Sequence, residues 1–482
     1  MALLPSAQVL TRPPVRPSLP PGGRVVTLAE RTPPERDRAI DLLRVLSIGV
    51  VVLGHWLMAT VTVGADGAVS VGNALGTAAA LPYLTWALQV VPVFFLVGGF
   101  AHARALRRPT PYAAFVRGRL ARLLRPVTVF VAVWTVLAAV AGATGRDEGV
   151  VAVALRTVPQ PLWFLGVYLG VVALAPAMLR AHRRWGAAVP VVLGLGAVAV
   201  DAVRFAADVP AAGALNLAFV WLAVHQLGFL LSDGPPRRAG AALACGGFGA
   251  LVLLTAYGPY PTSMVGLPGE PVSNVGPPTV ALLAQAVMLT GLVALVRPAL
   301  ARLCANPRVW TVVVVANSAV MTVFLWHLTA LFALTAATLR LQPDAGSPAW
   351  WATRPLWIAG CALLLAPLVA VFRAAERPRA VDRAGRAAGR PGDAVGGAAG
   401  RSGGPVGGAA GRPRSAVAGA ASAWRAGLGM AACTVGVLGL SATGLSGLLA
   451  GHTATLVVLP LTAPAAVALV ALGGLALRAP RR

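Results

Sequence analysis

Charge is scarce in this chain: 11% of its 482 residues are charged, less than half of the roughly 25% typical of soluble domains. With 57% of residues hydrophobic, that scarcity excludes an ordinary water-soluble fold and makes the bilayer the natural solvent. Lysine is absent, so all 40 basic residues are arginine; we attribute this to genomic base bias, without functional content. Cysteine is nearly absent as well. Cys245, Cys304, Cys361 and Cys433 lie in or beside apolar segments and form no C-x-x-C pair, so neither a zinc site nor a disulfide framework is indicated. Residues 1–38 are rich in proline and arginine and lack the apolar core of a signal peptide, which reads as a disordered basic cytoplasmic tail.

What is present is a series of apolar stretches of the length that a hydrocarbon core of about 30 Å demands of helices. They lack the period-two alternation of a transmembrane barrel. The expected spans are 40–63, 82–104, 122–143, 162–179, 187–203, 214–231, 239–257, 278–296, 309–338, 350–373, 425–450 and 454–477. Arginine dominates the connections 104–125, 180–184, 237–238, 297–308 and 373–414, whereas Asp66, Asp147, Glu148, Asp208, Glu270 and Asp344 fall in the intervening ones. This alternation accounts for the net charge of +25 as a positive-inside pattern that places both termini in the cytoplasm, and no nucleic-acid partner is implied. The stretch 375–423 is Gly/Ala/Arg/Pro-rich with little to build a core, which reads as a flexible linker. The fold class is therefore an all-α polytopic membrane protein: a ten-helix body over 39–374 and a two-span appendage over 424–482. A chain cut after Arg373 is expected to insert and stay largely active.

The first span carries Asp41, Arg44 and His55. An offset of eleven residues is three helical turns with about 20° of drift, so Arg44 and His55 share a face roughly 16 Å apart along the axis. Asp41 lies within about 60° of both. Ionisable groups at membrane depth are costly unless they meet a partner or a cavity, so a functional site is the default explanation. The structural alternatives are a snorkelling Arg44 and a His55 that only bridges helices; a shared face argues against both. Neutral imidazole suits the removal of a hydroxyl proton near pH 7.

The run Arg38-Ala-Ile-Asp41-Leu-Leu-Arg44, followed by ten residues and His55, resembles the opening signature of acyltransferase family 3, bacterial integral-membrane enzymes that O-acylate polysaccharides, cell-wall glycans, lipids and macrolides. The resemblance extends to Val93-Phe94-Phe95-Leu96-Val97-Gly98-Gly99-Phe100, where the family usually has Phe-Phe and then Ser-Gly-Phe, so Gly98 stands in the serine's place. It continues through Arg119-Leu-Ala-Arg122-Leu-Leu-Arg125-Pro126, Pro161-Leu-Trp163-Phe164-Leu165 and Phe324-Leu-Trp326-His327. It implies a histidine that assists acyl transfer, His55, and arginines that engage an acyl-CoA donor. Acyl-CoA is then a co-substrate, most plausibly acetyl or another short chain, and no cofactor is bound. Arg44 joins His55 as a catalytic candidate, and Arg119, Arg122 and Arg125 would bind donor phosphates through bidentate contacts, the alternative for each being a topology signal or lipid headgroup contact. Asp41, His327 and Trp163 are possible supporting residues, with packing or an interfacial aromatic belt as the alternative for the last two. His102 and His225 also fall in or near spans, and His182 in a short connection. The Pro/Gly-rich loop from Tyr257 to Thr279 would cap an acceptor entrance. The acceptor implied is a carbohydrate or glycosylated molecule; a secondary transporter is the rival class, disfavoured by the ten-plus-two division and the lack of visible repeats.

Reporters fused near Arg107, Arg237 and Arg302 are expected to read cytoplasmic, and those near Asp147 and Glu270 external. An external reading at Arg107 would put the arginines on the wrong side for a cytoplasmic donor.

Overall fold

The computed structural model describes residues 30, 32–33, 36–64, 68–376, 412–446, 453–456 and 459–477. Among them, eleven helical segments are long and apolar enough to cross a bilayer, so the chain is an all-α polytopic membrane protein. Its helices in chain order are α1 (Arg38–Met58), α2 (Val91–Ala105), α3 (Tyr112–Ala143), α4 (Gly149–Thr157), α5 (Leu162–Trp185), α6 (Ala188–Ala206) and α7 (Asn216–Ser232). There follow α8 (Arg237–Tyr257), α9 (Val280–Leu303), α10 (Pro307–Asn317), α11 (Val320–Thr338), α12 (Pro348–Phe372), α13 (Arg412–Thr443) and α14 (Ala463–Ala476). Strand structure among the described residues is confined to two antiparallel hairpins and one isolated bridge. The first hairpin joins β1 (Ala59–Val63) to β2 (Val69–Asn73), and the second joins β3 (Thr453–Leu456) to β4 (Leu459–Thr462).

Several span boundaries differ from the sequence expectation for local reasons. The first span stops at Met58 instead of running to residue 63, because Thr60, Val61, Thr62 and Val63 are all β-branched, lose rotamer freedom in a helix and pair instead with Val69–Gly72. The ninth span, expected to be continuous over 309–338, breaks at Ser318 and Ala319. There the Asn317 amide turns away to donate to Asp41 on α1. A short helix, α4, precedes the expected fourth span. The twelfth span, expected over 454–477, opens as the β3–β4 hairpin and leaves only the 14 helical residues of α14, short of the roughly 20 needed to cross. The eleventh ends at Thr443, where Gly444 takes a φ of +65° of the kind that closes helices. Most of the expected tail over 1–38 lies outside the described residues, as does 377–411 of the expected linker; from Arg412 onward that linker is already helix α13.

Without a hydrophobic force between helices inside lipid, close approach rests on small residues and side-chain hydrogen bonds. Helices α2 and α7 meet at Gly99 and Gly228: a Cβ on Gly99 would lie 2.0 Å from the His225 carbonyl, and one on Gly228 2.2 Å from that of Leu96. That contact brings His102 on α2 within 3.0 Å of His225 on α7. The Tyr257–Thr279 loop is anchored to the segment before α2: the Trp86 indole donates to the Thr262 carbonyl, the Gln89 amide to that of Met264, and the Met264 N–H to the Thr85 hydroxyl.

Helix α13 docks on the flank of α5. Ser441 donates to the Gln160 carbonyl, the Leu445 N–H donates to that of Leu155, and Leu438 fills the space over Gly166. A valine at Gly166 would meet Leu438 at 2.6 Å, whereas nothing lies within 4 Å of a Cβ at Gly170 on the same helix. Gly166→Val is expected to lower the thermal unfolding midpoint in detergent, by an overpacking cost of about 1–3 kcal/mol, and Gly170→Val to leave it nearly unchanged. Equal midpoints for the two would mean that this interface does not contribute to stability.

Candidate active site

The N-terminal end of α1 is organised around two carboxylates. Asp37 caps the helix by accepting from the Ile40 N–H and receives Arg297 from α9. Asp41, in the first turn where the helix dipole favours an anion, is 5% exposed and accepts from Arg36, from Arg44 at 2.9 Å and from Asn317 at 3.1 Å. Arg44 is thereby held through one terminal nitrogen, and its side chain stays 27% exposed. The stripe predicted from helical spacing thus carries Asp41, Arg44 and His55 as expected.

Deeper along the same stripe, His55 Nδ1 meets His327 Nε2 of α11 at 3.0 Å. His327 is fully buried, and its Nδ1 faces the Phe324 carbonyl. A carbonyl oxygen only accepts, so His327 Nδ1 carries the proton, and its Nε2, in a neutral ring, is an acceptor. His55 must then donate from Nδ1, which leaves its Nε2 as a bare lone pair. Ile48 and Val52 on the helical stripe of His55 are buried, whereas His55 itself is exposed. Two indoles lock the arrangement: Trp56 Nε1 donates to the His327 carbonyl at 3.0 Å, and Trp357 Nε1 on α12 to the Trp56 carbonyl at 2.9 Å.

From this pair a run of ring contacts leads back toward Arg44. His327 packs on Phe324, Phe324 on Phe164, Phe164 on Tyr168 and Tyr168 on His102, with centroids 5.5–6.4 Å apart. Arg44 and Arg119 both lie near enough to His102 and Tyr168 to act on them electrostatically. The guanidinium of Arg119 sits 5.6 Å from the Phe115 ring, which in turn touches His102. One end of the wall is therefore cationic, its middle aromatic, and its other end a histidine pair.

The sequence candidates divide accordingly. Arg44, Asp41, His55, His327 and Arg119 are brought into this arrangement. Arg122, exposed, and Arg125, half-buried, continue along α3 beyond it. Trp163 packs against Trp221, and its neighbour Phe164 makes the contact to α11 instead. His182, expected in a solvent-exposed connection, is in fact buried on α5 with Nε2 2.9 Å from an Asp233 carboxylate oxygen, because α5 continues as helix to Trp185. The sequence reading passed over Tyr168 and Arg354. Arg354 is 3% exposed on the inward face of α12, with its guanidinium 4.0 Å from the Trp350 ring and 4.9 Å from that of Trp357. An arginine with tryptophans four residues before and three after it, inside an apolar span, is the signal that would have found it.

The His55–His327 pair, linked by ring contacts to the region of Arg44 and Arg119, belongs to a multi-pass membrane protein. The family model described as an acyltransferase domain matches residues 37–373, and the chain belongs to this family, acyltransferase family 3. No curated protein and no solved structure matches it.

Replacing His327 removes the acceptor that sets the proton position on His55. His327→Ala is expected to cut turnover about 10- to 100-fold, by analogy with the loss of groups that orient a catalytic imidazole. His327→Gln, which can still place a carbonyl oxygen or amide near His55, should recover part of it. Labelled acyl transfer in membranes matched for protein level gives the measurement, and wild-type turnover by His327→Ala would remove this histidine from the mechanism.

Proposed function

We propose that this acyltransferase moves an acyl group, acetyl or another short chain, from acyl-CoA to a hydroxyl of a carbohydrate-containing acceptor such as a cell-surface glycan or a glycosylated metabolite. The observation that carries the proposal is the proton order Phe324 carbonyl, His327, His55, because it leaves His55 Nε2 ready to accept a proton. The acceptor hydroxyl gives its proton to that nitrogen while its oxygen attacks the thioester carbonyl. The carbon–sulfur bond then breaks, and the proton passes from His55 to the departing thiolate, so that the products are the ester and free coenzyme A.

Donor phosphates belong at the arginine end. Arg44 is oriented by Asp41, and Arg119 approaches the same region; Arg122 and Arg125 extend the positive flank along α3. The spacing of about 16 Å between Arg44 and His55 along α1 is one that an extended phosphopantetheine arm spans, which supports a donor held by its nucleotide at one end and reacting at the other. The carbohydrate acceptor is supported by the range of hydroxyl substrates in the family resembled. The arginine-bearing connections support a bacterial cytoplasmic membrane location with both termini inside and the donor arriving from the cytoplasm.

His55→Ala is expected to abolish acyl transfer while the protein stays inserted at normal abundance. Removing a general base typically costs 10²–10⁴-fold, and one exposed ring contributes little packing. Arg44→Ala should instead act mainly on donor engagement, so that raising the acyl-CoA concentration recovers part of the loss. Arg44→Lys distinguishes a need for charge from a need for the planar fork. Labelled acyl transfer across a donor titration reads all three, and near wild-type turnover by His55→Ala would eliminate the base assignment.

A further inference from the structure

Tyr168 projects from α5 into the aromatic wall between the arginines and the histidine pair. It is 9% exposed, and its ring packs against Phe94, Phe95, Phe164 and His102. Its hydroxyl makes no hydrogen bond among the described residues and retains some accessible surface. Gly98 lies between Phe94, Phe95 and His102 on α2, and a Cβ there would lie 2.8 Å from Tyr168 Cε2 and 2.9 Å from the hydroxyl oxygen. The glycine thus clears the space that the phenol occupies, at the position where the family resembled carries a serine.

We infer that Tyr168 is a donor-contacting residue whose hydroxyl donates a hydrogen bond to an amide carbonyl of the pantetheine arm. The chemistry of the surroundings selects this part of the donor. Phosphates are matched by Arg44 and Arg119 at the cationic end, and the thioester by His55 at the other. Between them, a neutral donor among aromatic rings suits a neutral carbonyl acceptor, and the arm carries two amides. The inference rests on the acyl-CoA reading of the donor.

The test is calorimetric titration of the full-length protein in detergent with coenzyme A and, separately, with 3′,5′-adenosine diphosphate, which has nucleotide phosphates and no arm. Tyr168→Phe keeps the ring packing and removes only the hydroxyl. It is expected to weaken coenzyme A binding about tenfold, the scale of one lost hydrogen bond, and to leave the nucleotide's affinity unchanged. Gly98→Ala, which pushes the ring out of its slot, should show the same selective loss. An unchanged affinity of Tyr168→Phe for coenzyme A, or an equal loss for both ligands, would overturn the inference while leaving the acyl-CoA reading intact. Absence of coenzyme A binding by the wild-type protein would overturn both.

Discussion

A neutral imidazole places its single proton on one of two nitrogens, and in a buried pair the neighbours decide which. Here the decision begins at the Phe324 carbonyl, one turn before His327 on α11, and it is passed across the helix interface to His55. Both members have to be held still for this to work. The Trp56 and Trp357 indoles do so by tying α1 to α11 and α12 through backbone carbonyls. Loss of any of these contacts would allow His55 to turn or change tautomer, and a base with its proton on the wrong nitrogen is no base toward the acceptor.

Charge is kept apart from this pair. The cations that suit phosphates stand at the N-terminal end of α1 and on α3, and Asp41 serves to orient Arg44 while taking two further donors from Arg36 and Asn317. Between them runs a series of rings, Phe324, Phe164, Tyr168 and His102. The approach of α2 and α7 through Gly99 and Gly228 sets His102, at one end of that run, beside His225, since only small residues permit helix backbones to come so near.

Features contained within one helix were legible from sequence. The eleven-residue offset of Arg44 and His55 is a property of α-helical geometry alone, and the apolar spans follow from hydropathy. Contacts between distant segments were not. His55 and His327 are 272 residues apart, and nothing in the spacing of either shows that α1 and α11 are neighbours; the Phe-Leu-Trp-His run marked His327 only by resemblance. Tyr168 looked like one more aromatic residue in a span until Gly98 was seen opposite it. The span ends failed where local chemistry overrides hydropathy, as at the β-branched Thr60–Val63 run and at Asn317, whose side chain leaves the helix to bond Asp41. The twelfth span failed because hydropathy does not distinguish the β3–β4 hairpin from a helix.

The most direct measurement is an electron cryomicroscopy structure of the full-length protein with a non-reactive thioether analogue of acetyl-CoA. The expected density has the nucleotide phosphates against Arg44 and Arg119, the arm running past the Tyr168 hydroxyl, and the sulfur beside His55 Nε2 while Nδ1 stays bonded to His327. Density for the analogue elsewhere, or a sulfur remote from His55, would contradict the assignment of this histidine pair as the reaction centre.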